Sequence, residues 1–282
     1  MSEHASAGDL VLGLQGLTIL RSWLLDPAGV RAGRRGMLRL AERLDEDPWS
    51  EPAVGGERTV PRGYAEWAST YDAESNPAIL AEEPVVRSLL ARHPPGPALD
   101  AACGTGRHSA YLRALGHEVT GIDASAAMLG AARAKVPGAR LLSGDLAAIP
   151  LAGGAVDLAV CALALTHLDD PAPALSELAR VVRPGGSVIL SDIHPFMVLL
   201  GGHAAYRTAE GAPAFVRNAV HLPSHYLRAF GEAGLAPVRC LEPRWGERAI
   251  AALGFGGEVA ELVGPALRGL PIVIVWELER AR

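Results

Sequence analysis

From Pro97 onward, short apolar runs alternate with longer stretches whose apolar residues recur every three to four positions. The runs near 97–102, 118–123, 140–143, 156–162 and 187–192 have the length of strands, and the periodic stretches near 107–115, 125–134 and 171–182 read as helices. Strands separated by helices predict a parallel sheet covered on both faces, so the expected fold class is α/β. Helix punctuation agrees: Asp170-Pro171 opens one helix and Arg183-Pro184-Gly185-Gly186 closes it.

Outside this stretch the pattern changes. Residues 1–46 read as helical with a break at Asp26-Pro27, 47–63 as a Pro- and Gly-rich linker, and 64–92 as two helices parted at Asn76-Pro77. Leu10, Leu14, Leu17, Leu20 and Leu24 recur at helical spacing and predict an amphipathic helix. Such a helix either packs on its own domain or serves as a dimer-forming arm. After the fifth strand, 195–222 is too long for a simple connection, and a helix over about 223–233 follows. Leu235–Glu242 and Ile272–Leu278 read as the last strands, and the segment between them has room for a helix near 257–267. The expected organisation is an N-terminal helical extension and linker, 1–60, and a main domain, 61–282, with insertions near 195–222 and 245–270.

Composition narrows the function. The 282 residues are 49% hydrophobic with a net charge of −5, which suits a sizeable core. Without a dense Lys/Arg stripe, a nucleic-acid partner is not expected. Three scattered cysteines make neither a disulfide framework nor a metal pattern, which points to the cytoplasm. Ser2-Glu3-His4 lacks a basic n-region, and Leu10–Leu25, broken by Gln15 and Arg21, is too short to span a bilayer, so neither a signal peptide nor a membrane partner is expected.

The chemistry is concentrated in Ala98-Leu99-Asp100-Ala101-Ala102-Cys103-Gly104-Thr105-Gly106-Arg107, with Asp123 closing the next apolar run. A strand that breaks into a glycine turn and then a helix directs backbone N–H groups at a ligand, and an acidic residue about 20 positions later can accept hydrogen bonds from a ribose. The position three after Gly106 is Ser109, so the third glycine of a pyrophosphate loop is missing. Asp100 at the strand end would repel a diphosphate and attract an ammonium group. S-adenosyl-L-methionine, with an ammonium, a carboxylate and a ribose, fits better than a nicotinamide dinucleotide.

These residues resemble the first two motifs of class I S-adenosylmethionine-dependent methyltransferases, and more narrowly the branch of ubiquinone/menaquinone-biosynthesis and secondary-metabolite small-molecule enzymes, the type 11 methyltransferases. The likeness continues through Ser143-Gly144-Asp145-Leu146, Ala155–Val160 and Leu178–Gly186. It implies a Rossmann-like, seven-stranded, mostly parallel sheet with lid insertions on the cofactor face, formed with residues 60–80. Ala102 stands where the family has a glycine, so a slightly crowded turn is expected.

The resemblance also implies roles. Asp123 would bind the ribose hydroxyls and Asp100 the ammonium, with Gly104 and Gly106 giving close backbone approach. Asp145 would meet the adenine amino group, Leu146 would offer an N–H to the ring, and Met128 and Ile122 would flank it. Tyr71 would cover the methionine end, and Ala102, Ala124, Gly144 and Cys161 complete the cofactor-lining set. For each there is a plainer structural role: a turn, a cap or a core position. His167, after the fourth strand, and His194, after the fifth, are the candidate general bases, while His221 and His225 line a pocket or simply lie at the surface. No cluster has the spacing of a Mg²⁺ site, and no Asn/Asp-Pro-Pro-Tyr/Trp element marks a planar nitrogen acceptor. Phe196, Tyr206, Phe215, Trp245 and Phe255 suggest a greasy acceptor pocket, and core packing explains them equally well.

The expected function is methyl transfer to the O, C or N atom of a small, largely apolar acceptor in secondary metabolism, with S-adenosyl-L-homocysteine as product. Two alternatives stay open: non-methylating catalysis on the same scaffold, and a non-catalytic cofactor-binding protein dimerised through its N-terminal helices.

Overall fold

The structure, a computed structural model, describes residues 5–53, 55–72, 76–253 and 256–282. Phe255 lies outside the described residues, as do residues 2–4 of the expected N-terminus and 73–75 of the expected lid.

Two helices lead the chain, α1 (Ala7–Ser22) and α2 (Pro27–Ala41). Strand β1 (Gly56–Arg58) and helices α3 (Val60–Trp67) and α4 (Pro77–Leu90) follow. The alternating core runs β2 (Pro97–Ala101), α5 (Arg107–Ala114), β3 (Glu118–Asp123), α6 (Ala126–Lys135), β4 (Arg140–Ser143), β5 (Val156–Ala162), a 3-10 turn (Leu165–His167), α7 (Ala172–Val181) and β6 (Val182–Ile193). Next come α8 (Pro195–Leu199), β7 (Ala204–Arg207), β8 (Pro213–Val216), α9 (Pro223–Ala233), β9 (Leu235–Leu241), α10 (Glu247–Ala251), α11 (Gly256–Leu267) and β10 (Val273–Arg280).

Seven strands form one sheet in the order β4-β3-β2-β5-β6-β10-β9, with β10 antiparallel to both its neighbours and the rest of the sheet parallel. Alternation along each strand divides the core between the two faces. Leu99, Ala159, Cys161, Leu190 and Trp276 pack toward α7 and α9, with Leu178 and Phe230. Ala98, Val160, Ile189 and Val275 pack toward α4 and the insertion helices, with Val86, Ile250 and Val263. Helix starts follow their caps: the Asn76 side chain accepts from Ala78 N–H at 2.9 Å, and Ser125 caps α6. β6 starts earlier than expected, at Val182, because a register shift opposite Val156–Leu158 absorbs the Pro-Gly-Gly segment.

Two segments depart from their sequence reading. The expected linker 47–63 contains β1, which pairs with β8 and, through it, β7 in a separate three-stranded sheet; its partner lies some 160 positions downstream, beyond the reach of local pattern. Helix α1 forms, but Ala7, Val11, Gln15, Thr18 and Ser22 are its buried face, whereas Leu20 is 72% and Leu24 83% exposed. The polar face is buried because the C-terminal half of α11 and the residue after it offer it carbonyls. Gln15 Nε2 donates to Leu262 O at 2.5 Å, and the Arg21 guanidinium donates to Ala266 O at 2.5 Å and Arg268 O at 2.9 Å.

Phe230 has no exposure and packs against Tyr226 and Trp276, so Phe230→Ala should lower unfolding free energy by about 3–5 kcal/mol. Leu199→Ala, at a position 63% exposed, should change it by less than about 0.5 kcal/mol. Urea unfolding of the two variants measures both.

Candidate functional site

The first strand to break, β2, ends in a turn that no run of ordinary residues adopts. Ala102 has φ +55°, Gly104 +54° and Gly106 +84°, all in the left-handed region. Glycine is at ease there, whereas Ala102 carries a cost of about 1–2 kcal/mol, which is the crowding its side chain brings. A Cβ on Gly106 would lie 3.0 Å from Val136 Cγ2, so α5 meets α6 closely, while a Cβ on Gly104 would meet nothing within 4 Å. The turn is open above Gly104 and packed below Gly106.

Register then brings the acidic residue to the turn. Asp100 pairs opposite Gly121, so β3 overshoots β2 and ends at Asp123 beside the glycines. The Asp123 carboxylate accepts from Gly104 N–H at 2.8 Å through one oxygen and from Ser125 N–H at 2.8 Å through the other. Burial holds its pKa above the usual carboxylate range, against the opposing pull of these two amides. Each oxygen keeps a lone pair for a further donor.

The other expected residues fall around this point. Asp100 is buried beneath the turn, where it accepts from Ser109 Oγ at 2.7 Å. Gly144 N–H donates to Asp123 O at 3.2 Å, next to exposed Asp145 and half-buried Leu146 at the end of β4. Ala124 is exposed, and Met128 and Ile122 are buried. Cys161 and Cys103 are buried, and burial pushes both thiols well above their ordinary range. His194 caps α8, with Nδ1 accepting from Phe196 N–H at 3.2 Å, and its Nε2 lies 3.1 Å from Glu242. His221 Nε2 donates to Leu168 O at 2.9 Å. Phe215 stacks on His203, while Trp245 is buried on the α4 side of the sheet.

Tyr71 belongs to an aromatic cluster at the opposite rim. Trp67 stacks on Tyr206 at 4.9 Å between ring centroids and meets Tyr71 edge-on, also at 4.9 Å. Tyr64 lies 5.8 Å from Trp67 and 5.3 Å from the His167 ring. Tyr64 Oη is 2.6 Å from His167 Nε2, and His167 Nδ1 is 3.1 Å from Arg217 O. Asp72 ties this rim to the glycine turn, accepting from Thr105 Oγ1 at 2.9 Å and from Lys135 Nζ at 2.5 Å.

Behind the turn sits a buried carboxylate absent from the sequence reading. Glu82 accepts from Arg107 Nη1 at 2.7 Å, His108 Nε2 at 2.9 Å and Ser191 Oγ at 3.0 Å, and so joins α4, α5 and β6. Its signal was a lone Glu on the apolar face of a helix, four residues from both Ala78 and Val86. Tyr64 likewise had a signal, since Tyr64, Trp67 and Tyr71 recur at helical spacing.

Residues 99–190 match the methyltransferase domain family. Over 106 residues the chain is 41% identical to the malonyl-[acyl-carrier protein] O-methyltransferase of Pectobacterium atrosepticum, a match covering 38% of this chain and 42% of that one. The chain thus spans about half or less of the length of such curated relatives. Among solved structures, an S-adenosylmethionine-dependent methyltransferase from Mesorhizobium loti superposes with a TM-score of 0.55 at 24% identity, over 71% of this chain and 98% of that one. The [4+2]-cyclase SpnF gives 0.56 at 17% identity, over 82% and 98%. At these identities the superpositions speak for the fold alone: a Rossmann-like sheet. Among the described residues, no helix is long and apolar enough to cross a membrane.

Glu82 gives a pH-dependent prediction. Burial opposes its charge, but His108 and Arg107 outweigh this and hold its pKa at about 2, below the ordinary 4.5. A depressed carboxylate stabilises the fold above its unfolded pKa and loses that stabilisation as pH falls toward the folded value. Glu82→Gln should therefore cost on the order of 3 kcal/mol near pH 7. Urea midpoints measured downward from pH 7 should show the gap closing below about pH 4.5.

Proposed function

We propose that this chain, whose residues 99–190 match a methyltransferase domain, is a class I S-adenosylmethionine-dependent methyltransferase that methylates a small, largely apolar acceptor of secondary metabolism and releases S-adenosyl-L-homocysteine. One observation carries the reading. The Asp123 carboxylate is held by two backbone amides beside a turn left open at Gly104. A rigid acceptor of ribose hydroxyls next to an unobstructed backbone suits an adenosyl group.

The residues present fit that ligand. Asp123 would bind the ribose, Asp145 and the Leu146 amide the adenine, and Met128 and Ile122 would flank the ring. Gly104 and Gly106 would pass beneath the amino-acid portion, with Asp100 below them acting on its ammonium through the turn. Tyr71 would cover the methionine end, and Ala102, Ala124, Gly144 and Cys161 would line the remainder. The bound sulfonium supplies an activated methyl group. The chain's own work is alignment, exclusion of water and, for a protic acceptor, removal of a proton.

The aromatic rim of Tyr64, Trp67, Tyr71 and Tyr206 favours an apolar or flat acceptor, packed beneath the small β1-β8-β7 sheet. His167 sits at this rim. His194, engaged with Phe196 and Glu242, is the weaker candidate base. The malonyl-carrier activity named for the relatives offers an alternative acceptor, tested below. The fold shared with a [4+2]-cyclase supports the non-methylating reading, and product mass decides between them: a gain of one methylene supports transfer. We also propose a second copy of the chain as the partner of α1, since exposed Leu20 near its end continues into Leu24 and Leu25, exposed in the turn that follows.

Titration of the protein with S-adenosyl-L-homocysteine should give a saturable heat, and Asp123→Asn should weaken binding by about tenfold to a hundredfold. No saturable heat for the unaltered chain would remove the cofactor reading. In light scattering, the intact chain should have the mass of a dimer, and the double variant Leu20→Glu, Leu24→Glu that of a monomer. A monomeric mass for the unaltered chain at tens of micromolar would dismiss the dimer.

A further inference from the structure

We propose that Tyr64, and not His167, touches the acceptor: the two form a proton relay that selects a weakly acidic hydroxyl, of the phenol or enol class, over a carboxylate. The inference deepens the methyl-transfer reading above and rests on it.

The tautomer of His167 decides which atom can meet the acceptor. Its Nδ1 faces the Arg217 carbonyl at 3.1 Å, and a carbonyl only accepts, so Nδ1 carries the ring proton. Nε2 of the neutral ring is then its single acceptor, and Tyr64 Oη donates to it at 2.6 Å. The lone pair that would make His167 a direct base is therefore occupied. An acceptor hydroxyl reaches it only through Tyr64, whose oxygen keeps lone pairs of its own. Burial favours the neutral imidazole of His167. Burial, with the negative charges of Asp123 and Asp192 nearby, keeps the Tyr64 phenol protonated. The dyad thus rests as a neutral donor on a neutral base.

In the reaction, the acceptor O–H bond breaks and its proton passes to Tyr64 Oη as the Tyr64 proton passes to His167 Nε2. The freed electron pair on the acceptor oxygen bonds to the methyl carbon, and the carbon–sulfur pair leaves on sulfur. The positive charge lost from the sulfonium reappears on the imidazolium, which releases its proton to solvent. Charge and atoms balance without a further reagent.

The surroundings explain why a carboxylate is the poorer acceptor. It needs no base, and it would bring a negative charge to a rim where the nearby cations are engaged. Arg107 is paired with Glu82, Lys135 with Asp72, and Arg217 with Glu57 at 2.8 Å. Asp123 and Asp192 would repel it. A neutral hydroxyl on an apolar body meets instead the half-buried ring of Tyr71, which is backed by the buried Trp67–Tyr206 stack.

The test uses the full chain, Tyr64→Phe, His167→Asn and the double variant. Circular dichroism, unfolding midpoints and calorimetry with S-adenosyl-L-homocysteine first establish that each folds and binds the nucleoside. If the unaltered chain does not bind it, the methyl-transfer reading fails; the tautomer is read independently. In ¹⁵N spectra of the histidine-labelled protein, His167 should be protonated on Nδ1, with Nε2 shifting in Tyr64→Phe. Protonation on Nε2 overturns the relay.

With saturating S-adenosylmethionine, naphthols and alkylphenols should be methylated, and naphthoic and alkanoic acids or a malonyl thioester at least a hundredfold more slowly. Tyr64→Phe should lower kcat about 10²–10⁴-fold with little change in KM. His167→Asn should cost at least tenfold, and the double variant should be no worse than Tyr64→Phe. The Tyr64→Phe deficit should shrink as fluorine substitution makes the phenol ionise unaided. A deficit independent of phenol acidity, or a preference for the carboxylates, overturns the proposal.

Discussion

Two backbone amides on one carboxylate organise the strand-tip face of this molecule. Asp123 can accept from both Gly104 and Ser125 only because β3 extends past β2 in parallel register, so that the tip of one strand stands beside the turn leaving the other. The turn in turn needs left-handed backbone at residues 102, 104 and 106, which the close approach of α5 to α6 holds in place. The cost of Ala102 in that conformation is of the order that one or two charge-assisted hydrogen bonds offset. Were the register shifted by one residue, the carboxylate would point to the other face of the sheet and the turn would lose its anchor.

A second constraint lies behind the first. The buried carboxylate of Glu82 would be prohibitive alone, yet with Arg107, His108 and Ser191 around it the charge fixes α4 against α5 and β6. Arg107 and His108 open α5 directly after the glycine turn, so the turn is gripped from both sides: by Asp123 above the strand tips and by Glu82 beneath the helix. The Asp72–Thr105–Lys135 cluster adds a third hold, linking the turn to the rim that carries Tyr71. A binding loop restrained from three directions is pre-organised, and its ordering costs little when a ligand arrives.

The elements of the sheet were legible because each strand and its following helix form a local unit with its own periodicity and stop signals. Pro97–Ala101, Glu118–Asp123 and Arg140–Ser143 fall where the apolar runs fall. The glycine turn and Asp123 were legible for the same reason: their chemistry is contained in one βαβ stretch. What escaped was non-local. The strand at Gly56–Arg58 exists only because Ala214–Val216 lies alongside it. The leucine stripe of α1 announced a buried apolar face, but Gln15 and Arg21 found carbonyl partners near residues 262–268, and hydrogen bonding to an open helix end won over leucine burial. Glu82 and Tyr64 acquire meaning only from His108 and His167, residues distant in sequence.

The same non-local geometry bears on how a histidine after the fourth strand is to be read. By type and position His167 is an ordinary general base, with a reference pKa near neutrality. Its neighbours alter that reading. A carbonyl from β8's far end fixes the proton on one nitrogen, and a tyrosine from α3 takes the other. Both partners come from the small sheet and helix that the first insertion and the segment before α4 build together, so the protic character of this rim belongs to those two segments and not to the seven-stranded sheet beneath them. On the proposed reading, one cofactor platform would serve different acceptors without altering the turn at residues 102–106, because the groups assigned to the acceptor are carried on separate elements of the chain.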